Sequence, residues 1–149
     1  MLALGSDFVG IILKEQIMQY LDQKGIPYKD FGCYSTEPCD YPVFGLAAAK
    51  AVASGECEKG LVFCGTGVGI SLVANKVKGI RCVNCSEPYS AAMARQHNDA
   101  NMLALGTRVV GSELAKMIVD AFLENDFLDG IHAKRVDMIR RIEEVQALD

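Results

Sequence analysis

The stretch Gly60-Leu-Val-Phe-Cys64-Gly-Thr-Gly-Val-Gly-Ile-Ser71 decides how this chain is read. Leu61, Val62 and Phe63 have the length and β-rich composition of a buried strand, and a helix-compatible stretch begins near Val68. Between them, Cys64 is followed by glycine at every second position. A strand that turns through glycines into a helix leaves backbone N–H groups without partners beside the thiol. Such a corner stabilises a nearby negative charge, on sulfur or on a bound oxyanion, by roughly 0.5–2 kcal/mol.

On either side of this corner, short apolar runs alternate with longer amphipathic ones. Leu2 to Gly5 reads as a strand, and Leu13, Ile17, Tyr20 and Leu21 then recur at helical spacing against the polar Lys14, Glu15, Gln19 and Asp22, with Gly25 as the stop. Tyr28 to Phe31 reads as a second strand, and Pro42 opens a helix that runs to about Ser54. After the cysteine loop come a helix from Val68 to Lys76, a strand over 81–84, a helix from Pro88 to Gln96, a strand over 102–105 and a helix from Ser112 to Leu123. This β-α alternation, repeated about five times, predicts an α/β fold: a parallel sheet with helices on both faces. In the terminal segment His132 to Val145, the residues Val136, Ile139, Ile142 and Val145 form a narrow apolar seam that fits either its own domain or a partner. No linker or repeat interrupts the pattern, so residues 1–149 are expected to form one domain.

Ligands of open parallel sheets sit at the carboxyl ends of the strands. Those ends place Ser6, Asp7 and Phe8 after the first strand, Cys64 to Gly69 after the third, Ser86 and Glu87 after the fourth, and Gly106, Thr107 and Arg108 after the fifth. A carboxylate, a thiol and an arginine are thereby expected on one rim. Half of the residues are apolar, yet no apolar run reaches the ~18 residues of a membrane span. The amino terminus lacks the basic flank of a secretory signal, which predicts a cytoplasmic protein. A net charge of −4 argues against nucleic-acid partners. The six cysteines fit free thiols. Cys82 and Cys85 have C-x-x-C spacing, but on a strand residues three apart face opposite ways, and no second pair completes a metal site.

The glycine loop excludes several chemistries. It lacks the second glycine and the lysine of a phosphate-binding P-loop, its third glycine comes one place early for a dinucleotide fingerprint, and no arginine follows Cys64 as a thiol phosphatase requires. A thiol beside a nest of amides suits proton abstraction next to a carbonyl, with the amides and the Thr66 hydroxyl holding the enediolate oxygen. A cysteine that merely packs in a tight turn fits the same spacing. His97 reads equally as a proton-transfer group or a solvated helix-terminal residue. Asp7 reads as a helix cap or a site carboxylate, and Arg135 as a helix-face charge or an anion ligand.

Gly5-Ser6-Asp7, Asp40-Tyr41-Pro42, Cys64 to Ser71, Ala74-Asn75-Lys76, Ser86-Glu-Pro-Tyr89, Arg95-Gln-His-Asn98-Asp and His132-x-x-Arg135-Val together resemble the type B ribose-5-phosphate isomerases, a family that includes galactose-6-phosphate and allose-6-phosphate isomerases. The match runs nearly end to end. The resemblance implies a Rossmann-like three-layer αβα sandwich with a five-stranded sheet. It also implies an aldose–ketose isomerase without metal or cofactor, acting on a sugar phosphate as a homodimer or homotetramer with its site between subunits. Cys64 would move a proton between C1 and C2. The amides of Gly65, Thr66, Gly67, Val68 and Gly69, with the Thr66 hydroxyl, would form the anion hole. His97 with Asp7 would open the sugar ring, Asn98 would hold hydroxyls, and Tyr41, Arg108 and Arg135 would line the substrate. Where some relatives carry a glutamate within the loop, this chain has Ile70, so the cysteine version applies. Two positions depart from the family: Phe8 stands where many members have histidine, and Ile131 where an arginine commonly meets the phosphate. With ribose 5-phosphate and ribulose 5-phosphate as the implied pair, an isomerase of another or unphosphorylated sugar, such as allose, galactose or a tetrose, is one alternative, and a non-catalytic sugar-phosphate or nucleotide-binding module is the alternative of a different class.

Overall fold

The computed structural model describes residues 1–149. Five strands, β1 (Leu2–Ser6), β2 (Tyr28–Asp30), β3 (Lys59–Cys64), β4 (Cys82–Asn84) and β5 (Met102–Gly106), alternate with helices α1 (Ile11–Lys24), α2 (Tyr41–Ala53), α3 (Val68–Asn75), α4 (Pro88–Asn98) and α5 (Ser112–Leu123), and α6 (Ile131–Val145) closes the chain. All pairings are parallel, in the order β2-β1-β3-β5-β4. The expected α/β sandwich is thus the observed one, with boundaries that differ from the sequence reading by one or two residues.

The central strands are buried on both faces because helices cover each side. Leu4, Leu61, Phe63, Leu103 and Leu105 meet α1, α4 and α5 in one core. Ala3, Val62, Cys64, Met102 and Ala104 meet α2 and α3 in the other. That second core is rich in alanine, which lets α2 approach the sheet closely. Cys82 and Cys85 fall into opposite cores, as strand alternation requires, and burial pushes their thiols up to about 12 and about 11. No helix is long and apolar enough to cross a membrane.

Local signals end the helices as their residues dictate. Gly25 takes the left-handed conformation (φ 68°) and its N–H returns to the carbonyls of Leu21 and Asp22, closing α1. Glu87 accepts the Ser90 N–H at 2.9 Å and Pro88 opens α4. The seam of α6 divides: Val136 is buried, whereas Ile139, Ile142 and Val145 remain 42–56 % exposed. One position departs from the amphipathic reading of α1. Lys14, spaced as part of its polar face, is 1 % exposed, because its ammonium pairs with Asp30 Oδ1 at 2.8 Å and donates to the Cys33 carbonyl at 2.5 Å. These contacts fasten α1 to the segment that leads from β2 into α2.

Phe122 on α5 is fully buried in the leucine-rich core. Phe122→Ala is expected to cost about 3–5 kcal/mol, read as a lower urea midpoint at an unchanged slope; a loss under 1 kcal/mol would show that this helix is not fixed by its core face.

Candidate active site

β1 and β3 are neighbours whose following helices, α1 and α3, cover opposite faces of the sheet. The loops therefore diverge at their carboxyl ends and leave a crevice between them. Asp7 stands on one side of it and Cys64 on the other. A cavity of about 390 Å³ fills this crevice, lined by Asp7, Tyr41, Cys64, Thr66, Gly69 and Arg108 among others. The structure thus brings the carboxylate, the thiol and the arginine to one rim, together with Tyr41 from the first turn of α2.

The loop between β3 and α3 is shaped around sulfur. Gly67 adopts φ 80°, and a side chain there would meet Asn84 Oδ1 at 2.6 Å and the Leu105 carbonyl carbon at 3.0 Å. In this conformation the Gly67 N–H donates to Cys64 Sγ at 3.1 Å and the Val68 N–H donates to Thr66 Oγ1 at 3.2 Å. The amides of Gly65, Thr66, Gly69 and Ile70 donate to no protein acceptor. Cys64 itself is 5 % exposed. Tyr41 closes over the loop: a side chain on Gly69 would stand 2.8 Å from the Tyr41 ring. The corner is therefore a nearly buried sulfur that accepts the Gly67 N–H, in a loop whose neighbouring amides are unpartnered, which favours an anion at this spot.

Asp7 does what a cap does and leaves capacity over. Its Oδ1 accepts the Val9 N–H at 3.0 Å and the Gly10 N–H at 2.7 Å at the start of α1, and its Oδ2 makes no bond within the protein. Arg108 enters none of the ion pairs and lies against the loop, with Nη1 3.9 Å from where a Gly65 side chain would begin. It is shared with an adjoining cavity of about 510 Å³ lined by Phe8, Val9, Ile12, Thr36 and Thr107. At the fourth strand the structure selects differently from the sequence reading. Glu87 is spent on capping α4, and Asn84 is the residue that reaches the loop, its side-chain oxygen accepting the Val68 N–H at 3.3 Å while its amide nitrogen donates to the Ala104 carbonyl at 3.2 Å. Thr36, on the segment that Lys14 fastens, carried no local signal.

His97, Asn98 and Arg135 are not at this rim. α4 leaves the carboxyl end of β4 and returns to the amino end of β5, so its last turn stands at the opposite edge of the sheet; Arg81, just before β4, donates to the Asn98 and Asp99 carbonyls at 3.0 Å. Across the length of β5 the separation from Cys64 is on the order of 13 Å. There His97 stacks on His132 of α6, with ring centroids 4.2 Å apart and planes 8° from parallel. Arg135 and the exposed Ile131 lie on the same first turns of α6. Burial, with the neighbouring His97 and Arg135 charges, lowers the pKa of His132. No group of three or more His, Cys, Asp or Glu side chains converges as a metal ion would require.

The sequence model of the family described as Ribose/Galactose Isomerase matches residues 2–139. Ribose-5-phosphate isomerase B of Escherichia coli is 54 % identical over 96 % of both chains. A D-erythrulose-4-phosphate isomerase of Pectobacterium atrosepticum is 43 % identical over 93 % of this chain and 91 % of its own. Among solved structures, ribose-5-phosphate isomerase B of Clostridium thermocellum superposes with a TM-score of 0.96 at 51 % identity, covering 98 % of this chain and 99 % of that one. Ribose-5-phosphate isomerase B of Mycoplasma genitalium, solved with bound ribulose-5-phosphate, reaches a TM-score of 0.91 at 38 % identity, with 97 % and 96 % covered. With the glycine loop, the parallel order of the sheet and the full-length match agreeing, this chain belongs to the Ribose/Galactose Isomerase family.

Proposed function

We infer that this chain is an aldose–ketose isomerase that interconverts ribose 5-phosphate and ribulose 5-phosphate by proton transfer through an enediolate. The observation that carries this reading is the Cys64 sulfur beside the unpartnered amides of Gly65, Thr66, Gly69 and Ile70. In the open aldose, Cys64 as thiolate takes the C2 proton. The electron pair moves toward C1, and the carbonyl oxygen at C1 becomes the enediolate oxygen. The amides and the Thr66 hydroxyl meet that charge, each well-placed donor contributing about 2.7–4 kcal/mol. Return of the proton to C1, with proton transfer between the two oxygens, yields the ketose. The identity to ribose-5-phosphate isomerases B supports the substrate pair.

The remaining roles come from a second copy. Ring opening belongs to His97, acting with Asp7 Oδ2, and Asn98 holds substrate hydroxyls. Because His97 and Cys64 stand at opposite edges of one sheet, the His97 edge of one protomer closes the Cys64 cavity of the other. A twofold pairing does this for both sites at once. The exposed Ile139, Ile142 and Val145 of α6, and the exposed Val68 and Leu72 of α3, supply apolar surface for that pairing. The assembly is a homodimer, or a homotetramer built from such dimers. Arg108 of one protomer and Arg135 of the other grip the phosphate. Phe8 and Ile131 supply no cation there, which leaves phosphate recognition weaker than catalysis.

Cys64→Ala is expected to lower turnover about 10²- to 10⁴-fold while leaving sugar-phosphate binding within about threefold. Solvent deuterium exchange into a panel of pentose, tetrose and hexose phosphates and their free sugars reads this; wild-type protein that exchanges none of them is not an isomerase. Mixing inactive Cys64→Ala and His97→Asn chains after co-refolding should recover about a quarter of wild-type activity, because half of the dimers pair unlike chains and each of those keeps one intact site. Zero recovery refutes the shared site. Ile131→Arg should lower the KM for ribose 5-phosphate about tenfold or more, through a charged hydrogen bond of roughly 1.5–3 kcal/mol; an unchanged KM means position 131 does not face the phosphate.

A further inference from the structure

The imidazole of His97 makes no hydrogen bond within the protein, and neither does that of His132. The His97 ring stacks on His132, 4.2 Å between centroids and 8° from parallel. We propose that His132 is a positioning residue for ring opening, holding the His97 imidazole face-on so that its nitrogens are presented edge-on to the sugar. This rests on the reading of His97 as the ring-opening group.

The two helices give the partners different surroundings. His97 lies in the last turn of α4, toward the negative end of its helix dipole, whereas His132 lies in the first turn of α6, toward the positive end, which opposes a positive charge. Arg135, one turn further along α6, opposes it as well. These neighbours favour the neutral form of His132, and a neutral ring stacks on His97 without charge repulsion. That is what a group cycling its proton requires of its support. The buried Val136 holds α6, and with it Arg135, independently of the stack.

Ring opening has a definite balance. The O1 hydroxyl gives up its proton, the bond between C1 and the ring oxygen breaks with its electron pair staying on that oxygen, and the oxygen takes up a proton. Ribose 5-phosphate must pass through this step. Ribulose 5-phosphate does not, because the oxygen that would close a furanose on C2 carries the phosphate. The two substrates therefore separate a role in ring opening from a role in folding or assembly.

In the full-length protein, His132→Ala should lower kcat for ribose 5-phosphate about ten- to a hundredfold at a KM within about twofold. Solvent exchange at C1 of ribulose 5-phosphate should stay within about threefold of wild type. His132→Phe, which restores a flat ring without ionisable nitrogen, should return kcat to within about fivefold. Unchanged ribose 5-phosphate turnover in His132→Ala, equal slowing of both substrates, or no recovery with phenylalanine overturns the proposal. His97→Asn serves as the independent control: if it retains ribose 5-phosphate turnover, the assignment of His97 fails, whatever the result at position 132.

Discussion

Burial of β3 on both faces is the constraint from which the rest of the structure follows. Its residues pair with β1 and β5 in parallel register, Phe63 opposite Ser6 and Leu105, Cys64 opposite Gly106. A strand in that position has to be apolar throughout and has to be covered on each side by helices, so α1 and α3 depart to opposite faces. The crevice between them is a consequence of that divergence. Asp7 and Cys64 confront one another across it because they are the first residues beyond the pairing of β1 and the last within β3.

The same geometry explains why the loop after β3 is so restricted. The chain has to leave a fully packed strand, clear Asn84 and the carboxyl end of β5, and begin a helix within four residues. Gly67 makes the turn possible at φ 80°, and the turn aims its N–H at sulfur. The unpartnered amides around Cys64 are thus produced by the turn itself and cost no further side chains.

At the opposite edge, α4 and α6 gather His97, His132, Asn98 and Arg135 around a surface that has nothing to react with in its own chain. Within one protomer the height of the sheet separates His97 from Cys64, a division of labour that the proposed pairing of two protomers reunites. The apolar residues of α6 that remain exposed, and those of α3 beside the Cys64 loop, fit that division of labour.

The α/β pattern, the position of the Cys64 turn and the helices to within one or two residues of their ends were legible in the sequence, because hydrophobic period, glycine and proline act over a few residues. Asp7, Cys64, Thr66 and Arg108 were legible as a group because strand ends in a parallel sheet share one rim. Other features depended on contacts between distant residues. Lys14 sits at a position whose spacing says solvent, and only the carboxylate of Asp30 and the carbonyl of Cys33 make its burial favourable. Asn84 instead of Glu87 meets the glycine loop because β4 ends where it does relative to β5. The placement of His97 a full strand length from Cys64, stacked on a histidine 35 positions later in the chain, follows from helix direction and inter-helix packing, neither of which a local pattern of residues encodes.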